Sequence, residues 1–130
     1  ADKHHLKLVC LNSLDDTFDW CDLNISQENL SPFAWCGYFK YAEAVFTCTY
    51  HGLMFGLIFK KRIIFHPTSF ILDKASSLID YLRLREVLIE KKTFEDKADW
   101  SWDYEDIYRR LLPMREKSLA YLKESLKENG

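Results

Sequence analysis

Thr49-Tyr50-His51-Gly52 is the stretch of this sequence whose residue types could do chemistry. His51 brings a titratable donor, since an imidazole changes charge between about pH 5 and 8. Gly52 lets a backbone approach a ligand closely. Ahead of the stretch, residues 44–48 form an apolar, β-branched and aromatic run that suits a buried parallel strand. Behind it, apolar residues continue almost unbroken from 53 to 59, as on a helix buried on most sides. A strand that turns sharply into a helix puts its turn at the carboxyl edge of a sheet. Open α/β folds bind ligands there. The helix start offers unpaired N–H groups and partial positive charge, which suit an anion.

The elements that must position this turn follow from the rest of the chain. Residues 6–11 give a first strand. Residues 12–29 are polar and acidic, with Asp15, Asp16, Asp19 and Asp22 among Phe18, Trp20 and Ile25. Their spacing matches no calcium loop, so they read as a solvated loop with aromatic anchors and no metal site. Ser31-Pro32 starts a helix over 32–42 by cap and first-position proline, with Phe33, Trp35, Cys36 and Phe39 towards its buried side. Strand 44–48, helix 52–60 and strand 62–66 come next, and Pro67 stops the last. This order predicts one sheet of three parallel strands with right-handed crossovers. Residues 73–82 are helical, 83–89 a short turn with an extended piece, and 91–99 a connecting loop. Asp103 caps a final helix to about 127, which Pro113 should bend or split. A three-stranded sheet is thin, and such sheets normally continue. The chain is therefore expected to be a piece of a longer protein, with Ala1 a remnant.

The 130 residues are expected to form a single domain, enough to bury roughly two-thirds of the unfolded surface. Apolar residues at 48% and charged ones at 29% are ordinary for a globular chain, while 15% aromatic is high. A net charge of −2 gives no reason to expect nucleic acid or an anionic membrane as partner. No run reaches the roughly 20 apolar residues of a membrane span, and no signal peptide precedes the first strand. Cys10, Cys21, Cys36 and Cys48 contain no Cys-x-x-Cys pair, which speaks against zinc. Cys10, Cys36 and Cys48 lie in apolar stretches and read as small buried hydrophobes, and the set of four reads as reduced, cytoplasmic thiols, with disulfides as the alternative.

Several segments together resemble a family. Leu30-Ser31-Pro32-Phe33-Ala34-Trp35, then Tyr41 to Thr47, then Tyr50-His51-Gly52 with Phe55 and Leu57-Ile58-Phe59-Lys60, look like the carboxyl-terminal part of bacterial polysaccharide pyruvyl transferases. Lys74-Ala75-Ser76-Ser77-Leu78-Ile79, with Arg85 downstream, is similar to that family's Arg-x-x-Ser-Leu-Leu segment. The tail with Arg115, Ser118, Tyr121 and Leu122 resembles its closing helix. Cys48 and Thr49 stand where the family pattern has Asp-Ser, and Lys74 where it has arginine. The resemblance implies a Rossmann-like three-layer α/β domain, the carboxyl-terminal half of a GT-B-like two-domain enzyme, with a helical last third. It implies transfer of a pyruvyl ketal from phosphoenolpyruvate to hydroxyls of a saccharide acceptor, without a cofactor and with the missing amino-terminal half as partner. His51 would be catalytic, and Thr49, Tyr50, Gly52, Lys74 and Arg85 would bind substrate.

Other readings of the same residues stand beside this one. The chain could be the donor half of a nucleotide-sugar glycosyltransferase, although no glycine-rich phosphate loop or ribose-binding acid is identifiable. It could also be a non-catalytic α/β interaction module. His51 could simply cap a turn, and His66 reads as a strand-end surface residue. Lys60-Lys61-Arg62 most simply neutralises a helix C-terminus and faces water. Arg85 and Arg115 could be structurally paired. Trp20, Trp35, Trp100 and Trp102 could stack on sugar rings or fill the core.

Overall fold

A computed structural model describes residues 5–11, 21–26, 28–91, 93, 97 and 100–128. The chain is mixed α/β, with short parallel sheets and a long C-terminal helix. It divides into two compact units, residues 1–41 and 42–130.

In the first unit, β1 (Val9–Cys10) pairs in parallel with β2 (Leu23–Asn24), Val9 opposite Leu23. The second strand lies in a stretch that reads as loop, because two residues are too few to show a period of two. Side chains fix it instead. The Leu8 amide donates to Asp22 Oδ2 at 2.7 Å, and the Ser26 amide to Asn24 Oδ1 at 3.0 Å. Asp15, Asp16, Asp19, Phe18 and Trp20 of that stretch lie outside the described residues. The helix α1 (Pro32–Tyr41) starts where its cap predicts, with the Ala34 amide donating to Ser31 Oγ at 3.1 Å. Phe39 is its buried residue, with the Trp35 ring 4.4 Å away. Phe33 was expected on the same side and is instead 88% exposed. Two residues from Trp35, it lies about 200° round the helix.

The second unit is built on a β-α-β unit. The strands β3 (Ala44–Thr47) and β4 (Arg62–Phe65) run parallel, Ala44 opposite Arg62 and Thr47 opposite Phe65, with α2 (Tyr50–Ile58) between them in sequence. The expected three-stranded sheet is replaced, among the described residues, by two separate two-stranded ones. After Pro67, Thr68 caps α3 (Ser69–Tyr81), which therefore begins before position 73. A π turn at Glu86–Glu90 takes the place of the expected extended piece. Asp103 caps α4 (Tyr104–Glu128), its Oδ1 accepting from the Asp106 amide at 3.0 Å. Pro113 lies inside α4 without splitting it.

The core joins Leu53 and Leu57 of α2, Ile63 and Phe65 of β4, Ala75 and Ile79 of α3, and the Leu82–Leu88 segment with Ile107. The α2 and α3 pairs are four apart, which puts each pair on one helix face. Burying such side chains stabilises by about 1.5–3 kcal/mol each. Gly56 decides how close α2 comes to β4, since a Cβ there would meet Ile63 at 2.8 Å. Gly56→Ala should therefore destabilise the chain by about 1–3 kcal/mol through overpacking. Gly37→Ala in α1, where an added Cβ meets nothing within 4 Å, should instead stabilise by about 0.5–1 kcal/mol through helix propensity. Urea-unfolding midpoints of the two variants test this, and equal shifts would refute the packing account.

Candidate functional site

Two threonines build the turn that carries His51. Thr47 Oγ1 accepts from the Thr49 amide at 3.1 Å, and the two hydroxyls lie 3.3 Å apart. Thr49 is the N-cap of α2, extended at φ −106°, ψ 153°, and its Oγ1 accepts from the Gly52 amide at 3.1 Å. The helix therefore begins at Tyr50, two residues before 52. Gly52 is buried, and a Cβ on it would fall 2.0 Å from Thr47 Oγ1. Its missing side chain accommodates Thr47, so it sets helix-to-strand distance rather than access for a ligand.

The outer side of this turn is open. His51 and Thr49 are exposed and Tyr50 is half-buried, with the Tyr50 and His51 rings edge to face at 6.2 Å. Cys48 was expected to be buried and is exposed; Cys10 and Cys36 are half-buried, and all four thiols are reduced. From α3, Lys74 places its Nζ 5.2 Å over the Tyr50 ring, a cation–π contact. The structure thus gathers Thr49, Tyr50, His51 and Lys74 at the start of α2. Here the amides of the first helical turn are unpaired by the helix itself and carry its partial positive charge. An imidazole, an ammonium and these amides together can hold an anion, and the imidazole can give it a proton.

Arg85 is not part of this group. It follows the far end of α3, and Lys74 and Tyr81 are already about 10 Å apart along that helix. Its guanidinium donates to both Asp80 carboxylate oxygens, at 2.5 and 2.8 Å. That bidentate contact holds the Asp80 carboxyl below its usual range and raises Arg85. The pairing gives Arg85 a structural role. Arg115 is exposed on α4.

No protein family, curated protein or solved structure matches this chain. No cluster of three or more His, Cys, Asp or Glu able to hold a metal occurs among the described residues. No helix among them is long and apolar enough to cross a membrane.

Sequence reasoning missed Lys97, which lies in the charged stretch read as a loop. Lys97 is only 8% exposed, and its Nζ donates to the carbonyls of Phe65 at 3.0 Å and Leu88 at 3.1 Å. His66 donates its amide to Thr47, so the neighbouring Phe65 carbonyl points away from β3 by strand alternation. Lys97 thus closes part of the open edge of β4 and ties it to the π turn. No pattern of apolar residues announces a buried ammonium. Burial lowers the Lys97 pKa from its ordinary value of 10.5. The unfolded chain then binds more protons between the lowered value and the ordinary one, so stability should rise with pH across that window. The penalty is fully present below the window. Lys97→Met should abolish this alkaline gain and leave two carbonyls unpaired, costing about 1–3 kcal/mol at neutral pH. Denaturant titrations across the alkaline range give the slope, and an unchanged slope in the variant would assign it elsewhere.

Proposed function

We propose that this chain is the carboxyl-terminal Rossmann-like half of a GT-B-like polysaccharide pyruvyl transferase. In this reading the parent enzyme is cytoplasmic and makes pyruvate ketals on a bacterial exopolysaccharide or its precursor. The observation that carries it is Lys74 held over the ring of Tyr50, the neighbour of His51, at the start of a helix that follows a parallel strand. Phosphoenolpyruvate is a phosphate and a carboxylate on one enol carbon. Its transfer requires an anion cradle and an acid that protonates the terminal methylene. The methylene becomes a methyl group, two sugar hydroxyls bond to the central carbon, and phosphate leaves. One hydroxyl proton replaces the proton given to the carbon, and the other departs with phosphate.

The roles divide by chemistry. The α2 amides and Lys74 bind the donor's anionic groups, Lys74 as a point charge rather than a bidentate fork. In this reading His51 donates the proton. An exposed helix start contributes about 0.3–1 kcal/mol to an anion. Half a cleft therefore binds its donor weakly.

Phosphoenolpyruvate titrated by NMR should shift the amides at 49–52 and bind tighter at about pH 6 than at about pH 8, on either side of the imidazole range. After correction for the ligand's own ionisation, the gain should be about two- to fivefold. His51→Ala should remove that gain and keep the fold. Identical titrations of both proteins at both pH values would make His51 a turn residue only. The chain alone should not turn over, because positioning in a two-sided cleft is worth roughly 7–11 kcal/mol. Release of phosphate with ketal formation by the purified chain would overturn that expectation.

A further inference from the structure

Beyond its docked first turns, α4 leaves the core. Every residue from 112 to 124 is exposed, so the rest of the described chain buries no face of that segment. Leu112, Leu119 and Leu126 stand seven apart, with Arg115 and Leu122 between them at steps of three and four. All four leucines are exposed. This spacing is the heptad seam of a coiled coil, one kind of seam position holding Leu112, Leu119 and Leu126, the other Arg115 and Leu122. Such a seam is buried only by a second helix.

Charge says which helix that is. Glu116 and Lys123 flank the seam on one side, directly after Arg115 and Leu122. Neither has an opposite charge three or four residues away, where side chains of one helix meet. In an antiparallel pair of identical helices, each kind of seam position faces the other kind. Setting Leu119 against Leu122 of a second copy brings Glu116 opposite Lys123 of that copy. The twofold axis repeats the pair, so two opposite-charge contacts form at once. Sliding the helices by one heptad either way sets Glu116 against Glu116 or Lys123 against Lys123. A parallel pair stacks Arg115 on Arg115 inside the seam and puts Leu111 and Ser118 opposite the flanking charges. Only one arrangement is complementary. In it Leu126 lies along the stem of Arg115, whose charge reaches water. Pro113 falls opposite Glu128, so the overlap covers the undocked segment and stops where the core begins.

We propose that α4 joins two copies of this chain through an antiparallel helix seam over residues 113–128. The seam is about four turns long, smaller than a standard interface, so the dimer is reversible and depends on concentration. The proposal is independent of the pyruvyl-transfer reading.

Sedimentation velocity of the full chain, over about a hundredfold range of concentration, should show a monomer–dimer equilibrium. Leu119→Gln combined with Leu122→Gln should leave only monomer, with the fold intact because both side chains are exposed. Glu116→Lys sets lysine against lysine, and Lys123→Glu sets acid against acid. Each change alone should weaken association by about five- to thirtyfold, as for exposed charge pairs formed and broken twice. Mixing the two variants restores both opposite-charge pairs, so the mixture should associate as tightly as the unaltered chain. Monomer at every concentration overturns the proposal. So does association that the single charge variants leave unchanged, or that mixing them fails to restore. Binding to anionic lipid vesicles that needs the same leucines, with no dimer in solution, also overturns it and assigns the face to a lipid surface.

Discussion

The second unit depends on how closely α2 lies on its two strands. Added Cβ atoms would come within 2.0 Å of Thr47 at Gly52 and 2.8 Å of Ile63 at Gly56. A helix held that close has unpaired amides at one end and unpaired carbonyls at the other, away from free solvation on its inner side. The structure answers at both ends. Thr49 takes the Gly52 amide at the start. At the finish, the Lys60 and Lys61 amides return to Leu57 and Gly56 at 3.2 and 2.9 Å. Tyrosines of α4 then complete the set: Tyr104 donates to the Lys61 carbonyl, and Tyr108 to Leu57 and Ile58 at 3.2 and 3.1 Å. Burial pushes the Tyr104 phenol well above its usual range, so it stays a donor throughout ordinary pH.

This arrangement gives the two ends of α2 opposite electrostatic tasks. At the start, the Lys74 ammonium over the Tyr50 ring adds to the positive end of the dipole. At the finish, Lys60, Lys61 and Arg62 lie beside the negative end, and part of their field is cancelled by nearby carbonyls. Lys60 is further held 4.9 Å over the Tyr108 ring. A left-handed non-glycine residue costs roughly 1–2 kcal/mol. The dipole and the Tyr108 contact offset part of that at Lys60.

The helix stops explain what was and was not legible in the sequence. Strands 44–48 and 62–66 and the α1 start were readable, because β-branched runs and a Ser-Pro cap act locally. The ends of α2 and α3 were read too late, at 60 and 82, because no glycine marks them. Both helices close with a basic residue in the left-handed region, Lys60 at φ 56° and Arg83 at φ 57°. Each is followed by the same backward bonds, Leu84 to Ile79 matching Lys61 to Gly56. At the site, the identity of the turn was legible and the purpose of its glycine was not. Gly52 reads as ligand access in one dimension, while its neighbour Thr47 becomes visible only once the helix has folded back. Arg85 likewise reads as an anion ligand until Asp80, five residues earlier, is seen to hold it.

In α4 the periodicity is correct and its environment is different from what periodicity suggests. Ile107 is buried, with Tyr104, Tyr108 and Leu111 partly buried against the core. Beyond them Leu119, Leu122 and Leu126, on one face at spacings of three and four, are 44%, 53% and 67% exposed. Pro113 falls at this boundary, where its missing N–H interrupts the ladder to Arg109. The residues after it are good helix formers, such as Met114, Arg115, Glu116, Lys117 and Leu119. Yet an isolated helix of about 12–15 residues is marginal in water. Its stability therefore comes from propensity and from continuity with the docked turns, which places it among the first elements to open. A repeat of three and four shows which side chains share a face. Whether anything covers that face depends on the partner surface, and in α4 that surface ends where the proline stands.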